Sequence, residues 1–252
     1  MKTNEIFITS ARRTAVGSLG KSLKNVSAEE LGATVISDVI KVSNLSNNII
    51  DEVIMGQVLT GAAGQNPARQ ASIKSGVPKE KPAYIVNQVC GSGIRSIASG
   101  YQSIKSGDSK IIIAGGQENM SLAPHAIHLR DGKKLGDVEI IDTMIRDGLW
   151  DAFNGYHMGV TAENVAEKFQ ITREEQDKFA LRSQEKALAA QKQNKFKEEI
   201  IDYKIKSKKT EINFNKDEHP REGINLEALS RLKPVFKKNG TVTAGNASGI
   251  ND

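Results

Sequence analysis

A single cysteine, Cys90, stands where residue type and spacing together suggest covalent chemistry. It lies in Asn87-Gln-Val-Cys-Gly-Ser-Gly93, between a β-rich run at Tyr84–Val89 and a helical pattern of small residues. A cysteine at a strand-to-helix junction faces backbone N–H groups that lack helical partners, at the positive end of the helix dipole. Both favour the thiolate, which is the nucleophilic form. Gly91 and Gly93 remove side-chain bulk beside the sulfur, so that a substrate carbonyl can approach backbone donors closely. A free cysteine also packs as a small buried hydrophobe. Spacing alone leaves both readings open.

The elements that would position Cys90 follow from the pattern around it. Ile6–Ser10 reads as a first strand. Ser27-Ala-Glu-Glu30 has the form of a capping box, with Val26 and Leu31 placed as a hydrophobic staple. It opens a helix in which Leu31, Val35, Val39 and Val42 recur at helical spacing. Val53–Leu59 reads as a second strand weakened by Gly56, and Pro67 starts a helix over Ala68–Ser75. Tyr84–Val89 then forms a third strand, Gly91–Ser106 a helix and Lys110–Ala114 a fourth strand. Ile111–Ala114 is continuously apolar, as in a parallel strand covered on both faces. This alternation of strand and helix predicts an α/β layered sheet. The helix after Cys90 carries Gly91, Ser92, Gly93, Ser96, Ala98, Ser99 and Gly100, which suits burial between other elements.

Beyond Gly115-Gly116 the composition shifts. Residues 121–240 read as a long insertion with its own small lobe. It has helical patterns at Thr161–Phe169 and Arg173–Gln193, the second opened by the capping box Thr172-x-x-Glu175. A lysine-rich run follows, with strand-like alternation from Ile200 to Lys206. Residues 241–252 return to glycine-rich sequence.

The 252 residues carry a net charge of +5, with the lysines concentrated between Lys168 and Lys238. Such a run is a solvated surface or an attractor of phosphorylated ligands. Aromatic residues are few and no nucleic-acid-binding motif is present, so nucleic acid is not an expected partner. One cysteine excludes an intramolecular disulfide, and no cysteine-pair metal motif occurs. Met1-Lys-Thr-Asn-Glu-Ile lacks the apolar core of a signal peptide, and no run approaches a membrane span; a cytoplasmic location is expected.

Several segments together resemble the thiolases, and within them the acetyl-CoA acetyltransferases. They are Ala11-Arg-Arg-Thr-Ala15, Gly64-Gln-Asn-Pro-Ala-Arg-Gln-Ala71, Asn87-Gln-Val-Cys-Gly-Ser-Gly93 and Ala114-Gly-Gly-Gln-Glu-Asn-Met-Ser121. Asp147-Gly-Leu-Trp150, Tyr156-His-Met-Gly159 and Gly240-Thr-Val-Thr-Ala-Gly-Asn-Ala-Ser-Gly249 continue the series in family order. The resemblance implies a thiolase-like layered α/β fold. Residues 1–120 would be the nucleophile-bearing half, 121–240 an inserted loop domain that binds coenzyme A, and 241–252 the return to the first half. It implies that Cys90 accepts an acyl group as a thioester. The enolate of a second acetyl-CoA then attacks to give acetoacetyl-CoA, or the sequence runs in reverse as thiolysis. Coenzyme A thioesters would be substrates, with no tightly bound cofactor and no metal. His157 and Met158 resemble the motif lining the pantetheine and acyl pocket, and Leu149 a neighbouring pocket residue. Arg221 resembles a nucleotide contact, and Ala244 and Ser248 pantetheine contacts. Without the family, Leu149 and Met158 read as core, His157 as a structural imidazole and Arg221 as a solvated side chain. The β-ketoacyl synthases are a related alternative that Tyr156-His-Met-Gly159 and Gly-Asn-Ala-Ser-Gly argue against. A cysteine protease is disfavoured because no histidine stands in a recognisable partner motif.

One departure stands out. The family's second half supplies an Asn-Glu-Ala-Phe segment, a Gly-His-Pro histidine and a general-base cysteine in Cys-x-Gly, and these 252 residues contain none of them. A truncated thiolase that cannot complete condensation alone is therefore expected, associated with a complementing half or as a homo-oligomer. A non-catalytic remnant and one subunit of a split enzyme are the alternatives. The strand at Ile111–Ala114 is expected to lack one neighbour, and the helix after Cys90 to leave a face open.

Overall fold

The computed structural model describes residues 5–206 and 211–252. Met1–Asn4 of the N-terminal segment, and Lys208 and Lys209 of the lysine-rich run, lie outside the described residues.

At the centre is a parallel three-stranded sheet of order β2-β1-β3, formed by β1 (Glu52–Gly56), β2 (Ala83–Val86) and β3 (Ile112–Gly116). Gly56 is in register with Val86 on one side and Gly116 on the other, so the C-terminal ends of all three strands share one edge. β1 is central and buried on both faces, as its apolar Val53-Ile-Met requires. On one face Val53 and Met55 pack with Ile36 and Ile40 of α1 (Ala28–Val42) and with Ala68 and Ala71 of α2 (Pro67–Lys74). On the other lies α3 (Ser92–Ser106).

The elements expected from the sequence form, with informative shifts. Ile6–Ser10 pairs with no strand, and Phe7 and Ile8 lie exposed. β propensity makes a strand only where a neighbour supplies the ladder, and neither sheet edge reaches this segment among the described residues. β1 ends at Gly56 instead of Leu59, β2 at Val86 instead of Val89, and β3 runs on to Gly116. β3 pairs only with β1, and of its residues only Ile113 is fully buried. It is an edge strand whose two faces are both covered, Ile113 by the α1–α2 cluster and Ile112 and Ala114 by Gly100 of α3. In α1 the buried stripe is Leu31, Ala33, Ile36 and Ile40, whereas Val42 is exposed and Val35 and Val39 are half-buried. The β-branched series in the sequence is offset from the true core face because the sheet beneath selects the isoleucines. The Ser27 box does not close: its hydroxyl donates to Glu29 Oε1 rather than accepting an amide. The staple residues Val26 and Leu31 nevertheless share a buried cluster.

Residues 121–240 contain short hairpins, β4–β5 (His125–Ala126, Ile141–Asp142) and β6–β7 (Trp150–Asp151, Tyr156–His157). Helices α4 (Met158–Lys168) and α5 (Arg173–Lys192) follow, the second opened by a complete Thr172–Glu175 capping box. The hairpin β8–β9 (Tyr203–Lys206, Glu211–Phe214) and the short α6 (Leu226–Ser230) complete the elements. This part is tied to the N-terminal loop. Tyr203 and Phe214 pack with Ala15, Leu23 and Leu31. The Arg13 guanidinium donates to Asp217 Oδ1 at 2.7 Å and Oδ2 at 3.0 Å and to Glu199 Oε1 at 2.7 Å. Burial alone would weaken the charge on Arg13, but these two carboxylates outweigh it and raise its pKa. Burial of Tyr203 beside Glu30, to which its hydroxyl donates, pushes the phenol up to about 12.

Candidate active site

Cys90 is exposed, which removes the packed-hydrophobe reading. Its position comes from an elbow between β2 and α3. Val89 sits at φ +49°, in the left-handed region where a β-branched residue is strained. The reversal aims the Gln88 and Val89 carbonyls back at the turn, where they accept from Gly91 N (3.0 Å) and Ser92 N (3.1 Å). The Ser92 hydroxyl accepts from Gln88 N at 2.9 Å and donates to Val89 O at 2.6 Å. Two donors expected to be free beside the sulfur are thus used inside the elbow. The tightness of the reversal is the reason.

Small residues let this elbow sit on the sheet. A Cβ on Gly56 would lie 2.4 Å from the Ser92 carbonyl carbon and 2.6 Å from Gly93 N, and one on Gly116 would lie 3.5 Å from Gly93 Cα. The first turn of α3 therefore rests directly on the paired strand ends. A Cβ on Gly93 itself would meet nothing within 4 Å. The close approach requires Gly56, which the sequence presents only as a weak strand residue. The Ser96 hydroxyl, fully buried, donates to Gly115 O at 2.7 Å and pins the next turn to β3.

The same strand edge carries a polar strap. Gln117 Nε2 donates to Gln57 Oε1 at 2.9 Å, and Gln57 Nε2 to Leu59 O at 3.0 Å. Glu118 accepts from Val58 N at 2.8 Å and from Leu59 N. Burial raises the Glu118 pKa despite these amide donors. Leu59, so held, reaches the π-turn Met144–Leu149, where a Cβ on Gly148 would lie 3.7 Å from it.

Leu149 ends that π-turn and is half-buried. The next residue, Trp150, is in register with His157 across β6–β7, which brings Leu149 beside the His157–Met158 pair. His157 caps α4, with Nδ1 accepting from Gly159 N at 3.0 Å, and its ring stacks on Phe236 at 4.8 Å. Gly159 is required there, since a Cβ would lie 2.3 Å from the Phe236 ring. Met158 begins α4 and is exposed rather than part of a core. Ala244 and Ser248 are exposed on a segment bound to α4 and α5. Glu163 accepts from Thr241 N, Thr241 Oγ1 and Val242 N at 2.8–3.0 Å. Asn246 Nδ2 donates to Asp177 Oδ1 at 2.9 Å, and Asn246 Oδ1 accepts from Thr243 N at 2.7 Å. Arg221 lies apart in an exposed loop, where its backbone N–H donates to Gln184 Oε1. Its guanidinium has no hydrogen-bond or ion-pair partner among the described residues.

Phe236, Glu163 and Asp177 carry no motif. Gly159, Glu163 and Ala166 fall at the spacing of one helix face, but only the structure shows that this face is buried. Three clefts, of about 1110, 400 and 400 Å³, lie along α5 and β9 or beside α4, and none is lined by Cys90 or the other candidate residues. No cluster of metal-ligating side chains occurs among the described residues. No helix there is long and apolar enough to cross a membrane.

A parallel sheet whose strand ends support a cysteine elbow, followed by short hairpins and helices, agrees with the family comparison. The chain belongs to the thiolase family, matching the thiolase N-terminal domain over residues 6–252. It is 56% identical over its whole length to an acetyl-CoA acetyltransferase of Rhizobium meliloti and 55% identical to one of Shinella zoogloeoides. It spans 64% of the length of each of these relatives. The crystal structure of the Bacillus anthracis acetyl-CoA acetyltransferase superposes with a TM-score of 0.94 at 42% identity, over 97% of this chain and 62% of that one.

Proposed function

We propose that this chain carries the acyl-accepting part of an acetyl-CoA acetyltransferase site. The observation that supports it most is the exposed Cys90 on its strained elbow, above the Gly56–Gly116 strand ends. The Cys90 thiolate attacks the thioester carbonyl of acetyl-CoA. The carbonyl electron pair moves to oxygen and returns, and the coenzyme A thiolate leaves. An acetyl thioester remains on Cys90. One thioester replaces another, so the step is close to thermoneutral and reversible. Leu149, His157 and Met158 line the acyl and pantetheine end, Ala244 and Ser248 contact pantetheine, and Arg221 offers its free guanidinium to a phosphate of the nucleotide. The reaction needs no tightly bound cofactor; coenzyme A enters and leaves as part of the substrates.

Condensation further requires removal of a proton from a second acetyl-CoA and attack of its enolate on the Cys90 thioester, releasing Cys90 as thiolate. General-base help contributes on the order of 10²-fold or more. The chain has one cysteine, already committed as the nucleophile, and no Gly-His-Pro segment. The acyl-transfer step is the part of the reaction assigned to these 252 residues, and the general base for enolate formation is not among them. Intact-mass analysis after incubation with acetyl-CoA tests this: one acetyl group is expected on wild type and none on Cys90→Ala. A folded wild type that stays unmodified refutes it and favours a non-catalytic remnant.

A further inference from the structure

Two buried carboxylates outside the residues assigned above hold the Thr241–Asn246 stretch that carries Ala244. Glu163 and Asp177 are 4% and 3% exposed; Glu163 accepts from backbone amides, and Asp177 from the side chains of Arg173 and Asn246. Glu163 lies on α4, the helix that begins at Met158 and is capped by His157. Its two oxygens take Thr241 N, Thr241 Oγ1 and Val242 N. Gly240 is needed for this, because a Cβ there would lie 2.1 Å from Glu163 Oε1. Asp177 on α5 is held by Arg173 Nε at 2.8 Å and receives Asn246 Nδ2, and Asn246 in turn accepts Thr243 N. The segment between these anchors carries Ala244, and Ser248 follows it. One helix thus bears His157 and Met158 and also fixes the strand of chain that presents Ala244 and Ser248.

We infer that Glu163, supported by Asp177, is a positioning residue for coenzyme A, setting the Thr241–Ser248 segment in the conformation that receives pantetheine. The inference rests on the acyl-transfer reading above. Glu163 touches no substrate atom; it acts through the backbone of Thr241 and Val242. Glutamine at this position keeps the shape but offers one acceptor oxygen and turns an NH₂ toward backbone donors, which breaks the clamp. Its effect falls on substrates that use pantetheine and spares those that do not.

The experiment compares acetylation of Cys90 by acetyl-CoA and by phenyl thioacetate, which lacks pantetheine, in wild type and Glu163→Gln. Charge-assisted hydrogen bonds of this kind correspond to roughly a tenfold change, so the half-saturating acetyl-CoA concentration is expected to rise about tenfold. The limiting rate and the phenyl thioacetate rate are expected to stay within about twofold. Thr241→Val removes the hydroxyl that donates to Glu163 and accepts from Gln176 Nε2 but keeps both backbone amides on Glu163, and gives a smaller rise in the same direction, a test that survives if Glu163→Gln fails to fold. Unchanged half-saturation, or equal impairment with both reagents, overturns the inference. Wild type that reacts with phenyl thioacetate but not acetyl-CoA overturns the acyl-transfer reading itself, and this inference with it.

Discussion

Alanine at Gly56 would place a methyl group 2.4 Å from the Ser92 carbonyl carbon, a backbone atom that cannot swing away. Overpacking of this kind costs about 1–3 kcal/mol, and here it lifts α3 off the strand ends. A urea midpoint lowered accordingly for Gly56→Ala is expected, and an unchanged midpoint would show that the elbow does not bear on β1. The sequence presents Gly56 as a defect in a strand, because the residues that need the space are thirty-odd positions away. Cys90 was legible for the opposite reason: its neighbours Gln88, Val89, Gly91 and Ser92 build the elbow locally. Glu163 adds a pH dependence. Burial alone would raise its pKa, but the amides of Val242 and Thr241 and the Thr241 hydroxyl outweigh burial and hold it below the ordinary 4.5. A carboxyl depressed in the folded state contributes stability that is present above its unfolded value and is lost as pH falls through the folded one. The stability gap between wild type and Glu163→Gln, followed by urea unfolding, is therefore expected to narrow as pH drops below about 4.5. A gap independent of pH would mean that Glu163 is not ionised against those amides.

Among the elements, α3 shows most clearly what pattern alone conveys. Its small residues read as a helix meant for burial. The structure buries one stripe, Ser92, Ser96 and Gly100, against β1 and β3. The opposite face leaves Ile94 at 75%, Ile97 at 42% and Tyr101 at 52% exposure. An apolar face of this kind limits solubility. Ile94→Lys with Ile97→Lys is expected to raise the soluble fraction while leaving unfolding stability within about 0.5 kcal/mol, as for surface positions. A large loss of stability would show that this face is packed inside the fold. Periodicity identified α1 as a helix but chose the wrong stripe, since its valines and isoleucines alternate around the axis and only the sheet distinguishes them. The Ile6–Ser10 strand failed for a related reason, because pairing is decided by neighbours the pattern does not name. The Thr172–Glu175 box, complete within four residues, formed as read.

At the scale of the molecule, the alternation of strand and helix and the order of the motifs made the layered fold and the family legible. The contacts that join the parts were not. Arg13 meets Glu199 and Asp217 across nearly two hundred residues, and Glu163 reaches Thr241 and Val242. Such long-range pairs leave no local signature in a single sequence. The first ties the N-terminal loop to the region of α5 and β9, and the second ties residues 241–242 to α4, while the sheet independently supports the cysteine. In the proposed reading, acyl acceptance and coenzyme A placement are thus built on different parts of one chain. The most direct test of Cys90 as acyl acceptor is the release of free coenzyme A from acetyl-CoA in a single mixing experiment with the 252-residue polypeptide. A burst approaching one equivalent per chain, without accumulation of acetoacetyl-CoA and absent in Cys90→Ala, is the predicted result. A folded chain that releases none, or the same burst from Cys90→Ala, would contradict it.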